Sequence, residues 1–422
     1  MEKKFYWRKL DDQAKVFALA SNNKYCSVFR LSVMMKEKIE HDMLQEAVDK
    51  ALEVFKAFKV KMKVGLYWYY FVANEKKPVI SVENEYPFKK VNTRQNNDYL
   101  FRVTYFENKI NVEFFHALTD GNNALSFLKE IIYNYIEIKY PNDIEKRDSS
   151  EIHIITETEN AYRKSYRKLK NKIEKHKTSY MIKGKELWGE VGITHLNLSF
   201  KDFRAAAKKE DCSVTAYIVA LFVYSVYDVN YKLYDGKRPI NIHVPIDLKR
   251  FIETETVSNF FSYIMISIKF GKNKMYTFYD VLQKVKQEFE RNLNKEKLID
   301  QITKDAGMTH NFFIRIVPLF IKKWGVRLGS LNRKRTTTAT ISNLGGIELH
   351  ESYSKYVDEF AAILSPDWAE RIKCGICSYK DRLNITFGTK IKDISIEKRF
   401  KELLEERGVQ VEMEGNGVNG LS

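Results

Sequence analysis

A chain of 422 residues, 44% hydrophobic, with 71 Lys and Arg against 55 Asp and Glu for a formal charge of +16, is long enough for two core-forming domains and favours anionic partners. No nucleic-acid motif accompanies the charge, no charged, apolar and small-residue triplet reads as a signal peptide, and residues 213–229 and 312–321 are too short or too interrupted for the roughly 20 apolar residues of a spanning helix. Four cysteines, Cys26, Cys212, Cys374 and Cys377, make no disulfide framework, so the chain is expected to be reduced, cytoplasmic and without a transmembrane segment.

Residues 25–34 partly alternate apolar and polar side chains, and Leu44, Ala47, Val48, Ala51, Leu52 and Phe55 follow at helical spacing, which predicts a strand and then an amphipathic helix. The run LYWYYFVA at 66–73 and the segments 100–106 and 109–115 predict strands of a mixed sheet, the last two turned into a hairpin by Glu107 and Asn108. Consecutive aromatics on a strand mostly fill cores, which is the expectation for Tyr67, Trp68, Tyr69 and Tyr70. Beyond Gly121 a helical stripe of Ala124, Leu125, Leu128, Ile131, Ile132 and Tyr135 runs to Pro141 and closes a first domain over 1–155.

A linker over 156–190 follows, and its Lys- and Arg-dense stretch 159–178 reads as a solvated crossover helix, with anion docking as the alternative. A second α/β domain over 191–413 is predicted from strands near 193–200, 239–246 and 260–270, a buried apolar helix over 213–229, and helical stretches through 275–329. Within the last of these, 312–324 is apolar with Lys and Arg at its edges. A core helix is the default there, and contact with a membrane surface or a greasy acceptor stays open. Short strands at 336–341, 371–378 and 383–387 and a helix at 394–407 capped by Gly408 complete the domain, and the Gly- and Asn-rich tail 414–422 is expected to be disordered.

The chemistry sits at FFHALTDG, residues 114–121, where His116 and Asp120 fall between a predicted strand and a predicted helix. A neutral imidazole suits abstraction of a hydroxyl or amine proton near neutral pH, and a nearby acid can anchor the loop. By spacing alone the pattern is as compatible with a structural histidine and a turn.

Four further segments appear in order: VTAYIVAL at 214–221, VPIDLKRF at 244–251, SNFFSYI at 258–264 and SNLGGIEL at 342–349. With HxxxDG they resemble the chloramphenicol acetyltransferase, condensation-domain, plant BAHD and alcohol acetyltransferase superfamily, whose motif is HHxxxDG; here Phe115 replaces the first His. The later segments look most like the alcohol acetyltransferase and stand-alone condensation branches.

The resemblance implies an α/β fold of two chloramphenicol acetyltransferase-like subdomains, mixed sheets flanked by helices, set as a V around a central tunnel. It implies an acyltransferase that moves an acyl group from acyl-CoA to an alcohol-type acceptor, with acyl-CoA as cosubstrate and no bound cofactor or metal. It assigns His116 as general base and acid, and Asp120 as a structural residue that fixes the motif loop with Lys249 or Arg250 as partner. Gly121 supports the motif, as a helix start pressed on the tunnel wall or as an ordinary turn glycine. Ser342, Asn343 and Asn259 are candidates for the oxyanion or tunnel wall.

Phosphopantetheine on an acidic carrier protein, with amide or ester formation, is the alternative donor system, and a non-catalytic scaffold is the third reading. The chain is expected to act as a monomer. The CGIC spacing of Cys374 and Cys377 suits a redox or half-zinc site, but no second pair follows and strand packing is the better reading. HExxH, GxGxxG and Walker patterns are absent from the sequence.

Overall fold

The computed structural model of the chain describes residues 7–21, 27–88, 96–145, 147, 177–234, 237–250, 256, 258–331, 336–418 and 420. Cys26 and most of the basic stretch 159–178 lie outside them.

The chain opens with β1 (Trp7–Lys9) and α1 (Asp12–Ala20), whose N-terminus is capped by the Asp11 carboxylate accepting from the Ala14 N–H at 2.7 Å. There follow β2 (Val28–Met35), α2 (His41–Val54), β3 (Val60–Val64), β4 (Tyr69–Ala73), β5 (Ser81–Val82), β6 (Phe101–Phe106), β7 (Lys109–Phe115) and α3 (Gly121–Lys139). The expected hairpin joins β6 to β7, with Glu107 in the left-handed region at φ 51°. The helical stripe of α2, Leu44, Ala47, Val48, Ala51 and Leu52, is buried and faces α3.

The rest of the chain supplies β8 (Gly192–Ser199), β9 (Ile240–Asp247), β10 (Phe261–Ile268), β11 (Ala339–Ile347), β12 (Val357–Leu364), β13 (Ile372–Tyr379), β14 (Arg382–Thr389) and β15 (Glu412–Gly415). Among the described residues the strands form three sheets: β12-β2-β7-β6-β5, β10-β9-β11-β13-β14-β8-β15, and a small β1-β4-β3. Helices flank the two larger sheets, and two apolar clusters fill the space beneath them. The apolar helix Val214–Val226 is buried in the second cluster. With the turn of helix that continues it to Tyr231 it is long and apolar enough to cross a membrane, but most of it is covered by the protein's own core.

Several expectations are corrected. The first sheet is not built from the N-terminal stretch alone, because β12, an element missing from the sequence reading, pairs antiparallel with β2 along Leu364↔Phe29 to Val357↔Met35. Its crossing over β13 is so close that a Cβ on Gly375 would stand 2.0 Å from the Ala362 carbonyl oxygen, so only glycine fits there. The expected tail starts as a strand: Glu414 and Gly415 belong to β15, which covers the edge of β8, and Asn416 bonds the Ile193 N–H and Val191 carbonyl.

The aromatic run is not a core strand of the large sheet. β4 begins only at Tyr69, and Leu66 and Tyr67 form an exposed hairpin tip beside β3. Residues 312–324 are likewise not a core helix but two surface helices, Phe312–Ile316 and Leu319–Leu331. Cys374 and Cys377 lie three apart on β13, in the cores on its two opposite faces, where burial raises both thiols, Cys377 to about 12.

Candidate active site

His116 follows the last residue of β7, and its backbone N–H donates to the Ser27 carbonyl at 2.8 Å, which fixes where the imidazole leaves the sheet. Phe17 of α1 stacks on the ring at 4.2 Å between centroids, Phe29 of β2 meets it edge-on at 4.9 Å, and Phe261 of β10 lies at 5.5 Å. This enclosure disfavours the charged form and lowers the imidazole from 6.5 to about 4, so the ring is neutral at pH 7.

Its tautomer follows from Asn259. The Asn259 Nδ2 donates to the His116 carbonyl at 3.1 Å and to Asp11 Oδ2 at 3.3 Å, both acceptors only, so the amide cannot be turned round. Its Oδ1 therefore faces His116 Nδ1, at 3.1 Å, and Nδ1 carries the proton. The lone pair is left on Nε2. Asp11 also accepts from the Asn259 backbone N–H at 3.3 Å, and burial pushes its carboxyl up to about 6.

Asp120 caps α3, its Oδ1 accepting from the Asn123 N–H at 3.0 Å, while its Oδ2 accepts from the Phe260 N–H at 3.1 Å. One buried carboxylate thus ties the motif loop to the segment carrying Asn259. Burial raises its pKa, and the nearby Lys249 charge opposes that. The Lys249 ammonium itself donates to Asn123 Oδ1 at 2.8 Å, one residue group removed from the expected direct pairing. The Arg250 side chain lies outside the described residues. Asn122, next along, donates to Asp247 Oδ2 at 2.7 Å, a second link between α3 and β9.

These groups open on one cavity of about 250 Å³, lined from both large sheets. Phe17, Phe29, Leu31, Phe261, Leu344 and Ile363 make it largely apolar. At one side stands a charged cluster, Lys373 with Asp367 at 3.1 Å and Glu370 at 3.8 Å, and Thr340 Oγ1 donating to Glu370 at 2.6 Å. The Lys373 field adds to the lowering of the His116 pKa.

The residues expected from the sequence come together with one change of place and one exclusion. Ser342 lines the cavity on β11. Asn343 lines it too, but its amide donates to Thr215 Oγ1 at 3.0 Å and its Oδ1 accepts from the Gly345 N–H at 2.8 Å, so its polar atoms hold the β11 bend. Asn259 is not an oxyanion donor in this geometry, because its amide protons go to Asp11 and the His116 carbonyl. Gly121 begins α3 with no positive φ, and a Cβ there would come within 2.9 Å of Leu344, which favours the pressed helix start over the turn glycine. Asp11, Phe17 and Lys373 carry no motif of their own in the sequence; the one local signal is the helix-start pattern at Asp11.

The two-sheet fold is shared with acetyltransferase and condensation-domain structures. Residues 192–362 match the model of the alcohol acetyltransferase family. Polyketide synthase associated protein 5 from Mycobacterium tuberculosis superposes with a TM-score of 0.62 at 15% identity, over 96% of this chain and 98% of that one. TRI3 trichothecene 15-O-acetyltransferase from Fusarium sporotrichioides gives 0.62 at 9% identity, over 96% and 98%. A variant of the starter condensation domain of rhizomide synthetase RzmA, in complex with C8-CoA, gives 0.56 at 11% identity, over 91% and 89%. At such identities the likeness is one of fold. No curated protein sequence matches the chain.

Proposed function

We propose that the protein transfers an acyl group from acyl-CoA to the hydroxyl of an alcohol-type acceptor by direct attack in a ternary complex, with His116 as general base. The observation that carries this reading is the fixed tautomer: Nδ1–H is held by Asn259, so the Nε2 lone pair is the one available to a substrate proton. Nε2 takes the acceptor's hydroxyl proton as the oxygen attacks the thioester carbonyl. The tetrahedral intermediate then collapses, the C–S bond breaks, and the imidazolium returns the proton to the departing thiolate. No acyl-enzyme forms, and the enzyme supplies proximity and orientation.

A base near pKa 4 is weak by itself. Its basicity rises as negative charge grows on the carbonyl oxygen, since an imidazolium beside an oxyanion is a favourable pair in a poorly solvated cavity. Ser342 on the cavity wall is the side-chain candidate to donate to that oxyanion.

Three observations support CoA and an alcohol. The alcohol acetyltransferase match covers much of the second sheet, a structural neighbour holds C8-CoA, and the +16 charge suits the phosphates of CoA. The several condensation domains among the neighbours favour, as a second reading, a carrier-bound thioester donor. The test is mass analysis of products from acetyl-CoA and longer acyl-CoAs offered to a panel of alcohols and amines. An ester supports the proposal. An amide, or reaction only with a carrier-bound donor, moves the reading to the condensation type.

A further inference from the structure

The helix Leu319–Leu331 and the β3–β4 hairpin tip form one surface. The Leu319 N–H donates to the Leu66 carbonyl at 2.8 Å, and Lys322, itself buried, donates to the Tyr67 carbonyl at 2.8 Å with its ammonium 3.7 Å from the Trp68 ring centre. Around this joint the large apolar side chains face water: Phe320 is 69% exposed, Trp324 67% and Leu66 66%, with Ile316 and Ile321 beside them. So many exposed large apolar groups on adjoining elements mark a contact surface and not the scatter of an ordinary exterior.

The sequence that carries the patch has one sign of charge. No Asp or Glu occurs between Asp305 and Glu348, a stretch that holds the exposed Arg315 and Lys323. None occurs between Glu53 and Glu75, where Lys56, Lys61 and Lys63 precede the hairpin tip. Aromatic and aliphatic side chains within an acid-free basic frame complement an anionic lipid surface, where apolar groups enter the headgroup boundary and Lys and Arg meet phosphates. A second copy set face to face would bring the two basic frames together.

We propose that the exposed face of the Leu319–Leu331 helix and the Leu66–Tyr67 hairpin tip dock on membranes bearing anionic phospholipids. The face is one layer from the cavity, because this helix packs on α1, whose Phe17 stacks on His116. The inference does not depend on which donor or acceptor the site uses.

The test is flotation of the full chain with vesicles of phosphatidylcholine alone or mixed with phosphatidylglycerol, at low and high salt. The expected result is capture by the mixed vesicles, weakened at least about tenfold by high salt and by the double substitution Phe320→Glu with Trp324→Glu. Lys323→Glu should weaken capture while leaving the thermal melt in place. Failure of the wild type to float, equal flotation of the double variant, or indifference to phosphatidylglycerol would overturn the proposal. So would a concentration-dependent dimer that the double variant abolishes while vesicle capture is absent.

Discussion

Asn259 Oδ1 stands 3.1 Å from His116 Nδ1, and the same side chain's Nδ2 donates to the His116 carbonyl. The pair closes a small ring of hydrogen bonds across 143 residues of sequence, and Asp11 holds its far side. The arrangement sets the imidazole tautomer, and that dependence can be measured.

Asn259→Ala should lower kcat by about 10- to 100-fold, with KM changed little, since what is lost is the orientation of a general base. Asp11→Asn keeps an acceptor for the Asn259 N–H groups and should cost less than Asp11→Ala. Equal rates for wild type and Asn259→Ala would show that the contact does not position His116.

Burial holds His116 down to about 4, against 6.5 unperturbed. The acid limb of kcat/KM should therefore lie well below pH 6.5, with the site competent through mildly acidic conditions. The sign for stability follows: a histidine with a lowered folded pKa binds fewer protons folded than unfolded, so stability is lost as pH falls from 6.5 towards 4. His116→Gln should flatten that part of the melting curve against pH. An acid limb at 6.5 or above in a pH profile would contradict the enclosure described.

Asp120→Ala removes the cap of α3 and leaves the buried Phe260 N–H without its acceptor. A loss of about 1–3 kcal/mol is expected, read as a lower thermal midpoint, together with weakened activity through a displaced Asn259. A variant with unchanged melting and unchanged turnover would remove Asp120 from the structural role.

Glu397 is fully buried, its carboxylate without a partner among the described residues beyond its own backbone N–H, and desolvation pushes it up to about 8. A carboxyl with a raised folded pKa favours folding most below 4.5, and that contribution fades as pH rises from 4.5 through about 8. Glu397→Gln should be more stable than wild type near pH 8 and close to it near pH 4.5. Parallel melting curves across that window would show the residue to be better solvated than its surroundings indicate.

What could be read from the sequence was local. FFHALTDG declared itself as a strand exit and a helix start because β7 ends in the apolar pair Phe114 and Phe115 and Asp120 sits where an N-cap must. Asn259 was visible as a polar residue in SNFF, but its role depends on a contact made 143 residues away, and no spacing rule encodes that. Asp11 looked like any helix cap. β12 escaped notice because FAAI within it is buried as a continuous run, without the alternation that marks a one-faced strand. The helix Leu319–Leu331 shows the converse, since apolar periodicity gives a face but not what covers it.

The central claim is that His116 moves the acceptor's proton. Its most direct test is acceptor-dependent release of free thiol from acyl-CoA by the wild type and by His116→Ala, each shown to be folded by its melting curve. The account predicts release that requires the acceptor and falls by about 100-fold or more in the variant; an equally fast, acceptor-dependent release by folded His116→Ala would contradict it.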